Sequence, residues 1–356
     1  MKQIEIILRK FLIRILLLFS TRKTKSELPH FNSESKILFI RLNRIGDALV
    51  TTPLLHQIKK NIGCSVYVLA DQKNHFVFYN CPDVDEVIVY EKKTGLRKTN
   101  EFIKKNNIET IVDLHDDVST TVSFIVRFVN TKYKFGLKKF NEKLYTNTVE
   151  RPDATKYHVI ERTLEFTKLF GFEPNYYDVK ISYKIKDTSS EFAEKRLKNF
   201  KDKFLLGINI TAGSDARFWG IDNFRQLIKL ISGYNVNFVL FVTENKFTEA
   251  RQITDEKFIY PVSKDFDIFA AGISKLDMLF TPDTSVVHIA SMFKIPVFGI
   301  YVHYNTDEMV WTPYNTDSES VITREPNLKN VTFEEVKMKF IPFFEKHFNA
   351  QRNSGL

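Results

Sequence analysis

Twice along this chain, short apolar runs of strand length alternate with amphipathic stretches of helix length. That doubled alternation restricts the fold more than any other feature. The first series opens with "KILFIRL" at residues 36–42, turns at "NRIGD" and continues into the amphipathic "ALVTTPLLHQIKKNI". It then runs through the strand-like "CSVYVLA", a helical stretch near "KNHFVFYN", "VDEVIVY", the helix-like "KTNEFIKKNN", "IETIVDLH", "STTVSFIVRFVN" and "YKFGL". The pattern loosens around residues 175–200 and starts again at "FLLGINI". The loop "TAGSDARFWG" follows, then "IDNFRQLIKLIS", "VNFVLFVT", "ENKFTEARQI", "KLDMLFTPD", "TSVVHIASMF" and "PVFGIYV". Near-continuous apolar strands separated by helices at this spacing make mostly parallel sheets covered on both faces. The spacing predicts two successive βα domains with a ligand cleft between them, and 356 residues suffice for both.

The expected boundaries are a tail and polar linker at 1–30, domains at 31–185 and 186–330, and a closing segment at 331–356. The closing segment contains the amphipathic stretch 332–348, in which Pro342 is expected to kink a helix. Hydrophobic residues make up 43% of the chain, which argues against disorder. Cys64 and Cys81 lack any metal or disulfide spacing and read as buried thiols of a reducing compartment.

The net charge is +9, but the first 25 residues hold seven Lys or Arg against Glu5 alone. Six of the nine charges therefore belong to the tail and three to everything after it. A body so weakly basic, with no zinc-finger spacing or RNA-binding signature, predicts no nucleic-acid partner. In the tail, Ile4, Ile7, Leu8, Phe11, Leu12, Ile15, Leu18 and Phe19 recur at helical spacing, interrupted by Arg9, Lys10 and Arg14. The longest uninterrupted apolar run, residues 15–19, is far short of the roughly 20 residues that span a bilayer. Three readings compete: an interfacial helix on an anionic membrane surface, a helix packed on its own protein, or a cleaved targeting sequence, the last disfavoured by the short apolar core and the lack of a small-residue cleavage site.

Candidate chemistry lies where strands give way to helices. Asp47 follows Gly46 at the first such junction, where a carboxylate acts as a general base or as a helix cap. Arg41 and Arg44 flank the turn, as acceptor contacts for phosphate or carboxylate or as solvated charges. His115, in "HDD", is a candidate acceptor contact. Thr211, Gly213 and Ser214 form a loop able to present N–H groups to phosphate, and Arg217 follows them. Glu244 ends the strand "VNFVLFVT", a place for ribose contact or a plain helix start. Asp283, Thr284 and Ser285 cap a helix whose N–H groups can face a diphosphate, with His288 one turn further on as a phosphate or structural residue. "DVD" at residues 83–85 reads as a surface turn, and no metal site is expected.

The stretches "ILFIRLNRIGDALVTTPLL", "INITAGSDARFWGIDNF" and "PDTSVVHIA", with "IVDLHDDVSTT", "KFGL" and "YHVIERTLEFTKLFGF" in the expected order, resemble glycosyltransferase family 9, the bacterial heptosyltransferases of lipopolysaccharide inner core. The resemblance implies a GT-B fold: two Rossmann-like α/β domains with parallel sheets facing across a cleft. It implies inverting, metal-independent transfer from a nucleotide-sugar, usually ADP-heptose, to a lipid-linked anionic glycan at the inner face of the cytoplasmic membrane, with no cofactor. On it, Asp47 is the base and Arg217 stands where a Lys neutralises the leaving diphosphate. Thr211, Gly213, Ser214, Glu244, Asp283, Thr284, Ser285 and His288 belong to the donor site. This sequence departs from the pattern at Gly220, where Pro is usual, at Ser285, where Gly is usual, and at residues 301–305. These departures motivate an alternative: a non-catalytic member that binds nucleotide-sugar or glycolipid. A dinucleotide oxidoreductase is disfavoured, because no GxGxxG follows the first strand.

Overall fold

Ile37, Leu38, Phe39 and Ile40 expose no surface at all, as a strand covered on both faces requires. In the computed structural model, which describes residues 11–18 and 27–353, they form β1 (Lys36–Arg41). The chain divides between Lys184 and Ile185 into two units, each with its own parallel sheet.

In the N-terminal unit, β1 leads into α1 (Ile45–Ile62), which ends at Gly63 in the left-handed conformation with φ 74°. β2 (Ser65–Ala70), α2 (His75–Tyr79), β3 (Glu86–Val89), α3 (Gly95–Asn106), β4 (Thr110–Asp113), α4 (Thr120–Phe128) and β5 (Tyr133–Leu137) keep up the alternation. β6 (Asn147–Val149) and α5 (Val159–Leu164) follow. The strand order is β3-β2-β1-β4-β5-β6, that of a dinucleotide-binding Rossmann sheet. It reverses direction between β1 and β4, and ligands of such sheets bind beyond the carboxyl ends of the strands at that reversal.

Residues 11–18 are helical and pack on this unit. Ile13 and Leu16 are buried, Leu16 among Leu38, Ile40, Val122 and Ile125. Phe11, Leu12, Ile15 and Leu18 face outward, Leu18 at 80% exposure. One face of the segment thus packs on its own protein and the other is open. The remainder of the tail, including Lys2, Arg9, Lys10, Arg22, Lys23 and Lys25, lies outside the described residues.

The second unit runs α6 (Asp187–Leu197), β7 (Phe204–Asn209), α7 (Ile221–Ile231), β8 (Val236–Phe241), α8 (Phe247–Ile253), α9 (Phe266–Ile273), β9 (Met278–Pro282), α10 (Val286–Met292), β10 (Val297–Val302), β11 (Ser318–Thr323) and α11 (Phe333–Asn353). Its parallel sheet has the order β11-β10-β9-β7-β8, reversing between β7 and β9. The core is aromatic: Phe280 stacks on Phe298, and Phe340 of α11 meets both edge-on. Trp219 is buried against Phe224 and Phe280, its Nε1 donating to the Val331 carbonyl at 2.9 Å. It is a packing residue. Pro342 sits inside α11, which continues through it as one helix to Asn353.

Candidate active site

The reversal between β1 and β4 gathers the polar residues of the N-terminal unit. Arg41, the last residue of β1, is only 1% exposed. Its guanidinium donates to the main-chain carbonyls of Asp47 and Leu114 and lies 3.4 Å from Asp47 Oδ1. Burial lowers its pKa, opposed by Asp47, Asp113 and Asp116, and guanidinium stays charged in any case. Arg41 is thus a buried brace for Asp47. Arg44 is exposed and makes no ion pair with a described residue.

Asp47 is the third residue of α1, with its side chain 15% exposed. One carboxylate oxygen accepts from Asn43 Nδ2 at 3.1 Å, the other from the Arg44 N–H at 3.4 Å. The second bond is a capping interaction at the N-terminus of α1, so Asp47 does serve as a cap. Asn74 holds the turn beneath it, donating to the carbonyls of Arg41 and Asn43 at 3.0 and 3.1 Å. Capping and braced presentation of the carboxylate coexist at one residue.

His115, two residues past β4, is buried with both ring nitrogens engaged. Nε2 accepts from the Leu42 N–H at 3.1 Å, so Nδ1 carries the proton and donates to Asp113 at 2.7 Å. Burial holds its pKa below the ordinary value, against the pull of Asp113, which keeps the ring neutral. Asp113 is itself buried. Desolvation disfavours its charge, but Lys139 at 3.1 Å, His115 and the Tyr145 hydroxyl outweigh that and hold its pKa well below the usual range. Asp116 is paired with Arg151 and Arg162. A cavity of about 770 Å³ opens beside these groups, with Asn43, His115 and Phe140 in its wall. The carboxylates of "DVD" are engaged elsewhere: Asp83 with His56 and Ser182, Asp85 with Lys59 and the Val66 N–H.

In the second unit, the reversal between β7 and β9 brings two motifs together. Arg217, in the loop after β7, pairs with Asp283, the residue after β9, at 2.9 Å. Asn209, the last residue of β7, ties the loops to each other. Its amide donates to Thr281 Oγ1 at 2.8 Å and reaches Thr284 Oγ1 at 3.4 Å. Its carbonyl oxygen accepts from the Thr211 N–H and hydroxyl at 3.0 and 2.7 Å. Thr284 accepts in turn from the Val286 N–H at 3.2 Å. Gly213 lies beside the Arg217 guanidinium. Ser285 has φ −58°, an ordinary right-handed conformation open to any residue. His288 is buried in α10 with its ring facing Trp311. Glu244 is 75% exposed, 3.8 Å from Lys264. Lys246 instead comes close to the loop, 3.1 Å from Asp215 and over the Phe218 ring.

Asn43, Asn209, Lys139 and Lys246 were not singled out in sequence. Only for Asn209 was there a local signal, a polar residue ending an otherwise apolar strand.

The model of glycosyltransferase family 9 (heptosyltransferase) matches residues 96–340. The chain is 24% identical over 320 residues to the lipopolysaccharide core heptosyltransferase OpsX of Haemophilus influenzae, covering 84% of this chain and 88% of that one. A family 9 glycosyl transferase from Veillonella parvula superposes with TM-score 0.76 at 17% identity, over 90% of this chain and all of that one. The ADP-heptose lps heptosyltransferase II of E. coli gives 0.71 at 14% identity, over 89% and 99%. Both superpositions show the GT-B fold of two Rossmann-like domains. With strand reversals that assemble the motif residues in each sheet and a family match across more than two thirds of its length, the chain belongs to glycosyltransferase family 9, the heptosyltransferases.

Proposed function

We propose that this glycosyltransferase moves a heptose from ADP-heptose, with inversion and without a metal, onto a lipid-linked anionic glycan such as lipopolysaccharide core. The observation that carries the reading is the Asp47 carboxylate, braced by Arg41 and Asn43 beyond the β1 carboxyl end. Asp47 takes the proton of the acceptor hydroxyl as its oxygen bonds to the anomeric carbon. The bond from that carbon to the diphosphate oxygen breaks in the same displacement, and ADP departs with the electron pair. A single displacement of this kind inverts the configuration. The positive charge for the departing diphosphate comes from Arg217, with Lys246 close to its loop, so no metal is required in that role. Thr211, Gly213, Ser214, Thr284 and Ser285 shape the loops around it, Asp283 orients Arg217, and Glu244 and His288 complete the donor side.

The donor assignment draws on the printed name of the similar E. coli enzyme, and the acceptor on that of OpsX. The charge of the tail and the open apolar face of residues 11–18 support work at the inner membrane surface. No helix among the described residues is long and apolar enough to cross a membrane. Ser285 adopts its backbone conformation without strain, so that departure demands no altered backbone at the helix start.

The test is transfer from ADP-heptose to a lipid-linked core acceptor by the wild type and by Asp47→Asn. Asparagine caps a helix about as well as aspartate, so fold and ADP affinity should persist. Turnover should fall about 10²–10⁴-fold, the range of general-base catalysis. Turnover near the wild-type rate would return Asp47 to capping alone. ADP-heptose binding without transfer to any acceptor would favour the non-catalytic alternative, and rates that collapse on chelation would overturn metal independence.

A further inference from the structure

The cavity beside Asn43 and His115 has an unusual wall: Ile13 and Arg14, from the helical segment 11–18. This segment precedes β1 and lies outside every motif that carries the family resemblance. Ile13 is buried, which fixes the segment against the unit, while Arg14 beside it is exposed. Arg14 forms no ion pair with a described residue.

The other basic groups near this wall are already engaged. Lys139, which is not among the wall residues, is spent on Asp113. His115 is neutral, with both ring nitrogens occupied. Asp117 also borders the cavity but is fully exposed to solvent, and Arg151, 4.0 Å from it, is held by Asp116 at 2.9 Å. Arg14 is therefore the cation of this wall left to pair with something else. Its surroundings are mixed: Phe140 and Val118 are apolar, whereas Ser119, Thr120 and Thr121 bring hydroxyls and the first turn of α4, where N–H groups lack intrahelical partners. Asn43 connects the cavity to the proposed base by donating to Asp47.

We infer that the helical segment 11–18 forms one wall of the acceptor subsite and that Arg14 selects acceptors bearing an oxyanion, a phosphate or carboxylate, on the sugar next to the reacting one. The inference rests on the acceptor reading given above. In it Arg14 is a specificity-determining residue, pairing with an anionic substituent through its planar fork.

The first test needs no transfer. The Ile13 δ1-methyl resonance of the full chain is followed while glucose 6-phosphate or glucose is added. The phosphate sugar should shift it and the neutral sugar should not. Arg14→Ala should weaken that response at least about tenfold, the usual scale for a charge-assisted hydrogen bond. Arg14→Lys should retain most of it. No response to the phosphate sugar, or an equal response in Arg14→Ala, overturns the inference. A response to phosphatidylglycerol vesicles alone also overturns it, assigning Arg14 to lipid headgroups. The second test uses a deacylated, anionic acceptor in vesicle-free solution. Arg14→Ala should raise its KM about tenfold with kcat and ADP affinity unchanged. A wild type with no transfer at all would sink the proposed function while leaving the methyl titration decisive for Arg14.

Discussion

At the scale of single residues, the two sheets use charge in opposite ways. Arg217 is a third exposed and its partner Asp283 a fifth, so the pair is open to a ligand. A diphosphate there would compete with Asp283 for the guanidinium. Arg217→Ala should weaken ADP binding about 10- to 100-fold, on the scale of a hydrogen bond to a charged group, and leave adenosine affinity nearly unchanged. Removing the cation leaves Asp283 facing the diphosphate with like charge, so Arg217→Ala/Asp283→Asn should recover part of the loss. Calorimetric titration of the two ligands into the three proteins checks this, and equal losses for ADP and adenosine would remove Arg217 from the diphosphate. In the N-terminal unit the Asp113, Lys139, Tyr145 and His115 side chains are buried. Asp113→Asn strands the buried Lys139 ammonium and should cost about 3–5 kcal/mol. The folded Asp113 value lies below the unfolded one of about 3.9. Its contribution is therefore full at neutral pH, shrinks as pH falls below the ordinary carboxylate range and is gone below the folded value. Denaturant titrations across pH should show less acid sensitivity in Asp113→Asn than in wild type.

At the scale of elements, the entry into α7 shows what one residue permits. Gly220 precedes the helix with φ 106° and ψ 149°, a region that residues with a β-carbon enter only under strain and that proline, fixed near −65°, does not enter. The loop therefore reaches α7 along a path closed to the proline usual in the family. Gly220→Ala should destabilise by about 1–3 kcal/mol although no atom lies within 4 Å of the added methyl. A thermal melt checks it, and an unchanged midpoint would show that the loop relaxes. The strands legible in sequence were those with uninterrupted apolar runs, such as β1 and β7. β6 has three residues, and β11, "SESVIT", has only Val321 and Ile322 as apolar content, so neither leaves a readable period. The site was legible to the same extent. Asp47, Arg217 and Asp283 stand in motifs at strand ends. Lys139 meets Asp113 across 26 residues and Asn209 meets Thr281 across 72, and no local pattern encodes such pairings. The burial of Arg41 was not legible, because a charged residue ending a strand looks solvated until the partners that bury it are known.

At the scale of the whole molecule, the remaining question is what the N-terminal segment does with its open face. Six of nine net charges lie in the first 25 residues, and within them Phe11, Leu12, Ile15 and Leu18 stay exposed while Ile13 and Leu16 are anchored in the core. Deleting residues 2–25 would confuse two effects, since it also removes those anchors and opens the core they cover. Leu12→Gln/Ile15→Gln/Leu18→Gln changes only the outward face and should leave stability within about 0.5 kcal/mol, as surface substitutions do. If that face enters the interfacial region of an anionic bilayer, each side chain contributes up to about 1.5–3 kcal/mol of burial. Binding to phosphatidylglycerol vesicles should then weaken at least about tenfold. The basic residues add an attraction that salt screens, since the Debye length shrinks from about 10 Å at 0.1 M to about 3 Å at 1 M. High salt should therefore weaken wild type and triple variant by the same factor, the charges being common to both. Transfer to a deacylated soluble acceptor should be unaffected by the triple change, because Ile13 and Arg14 remain. Vesicle binding by the triple variant equal to that of wild type, with its fold intact by melting, would show that the exposed face is no membrane contact.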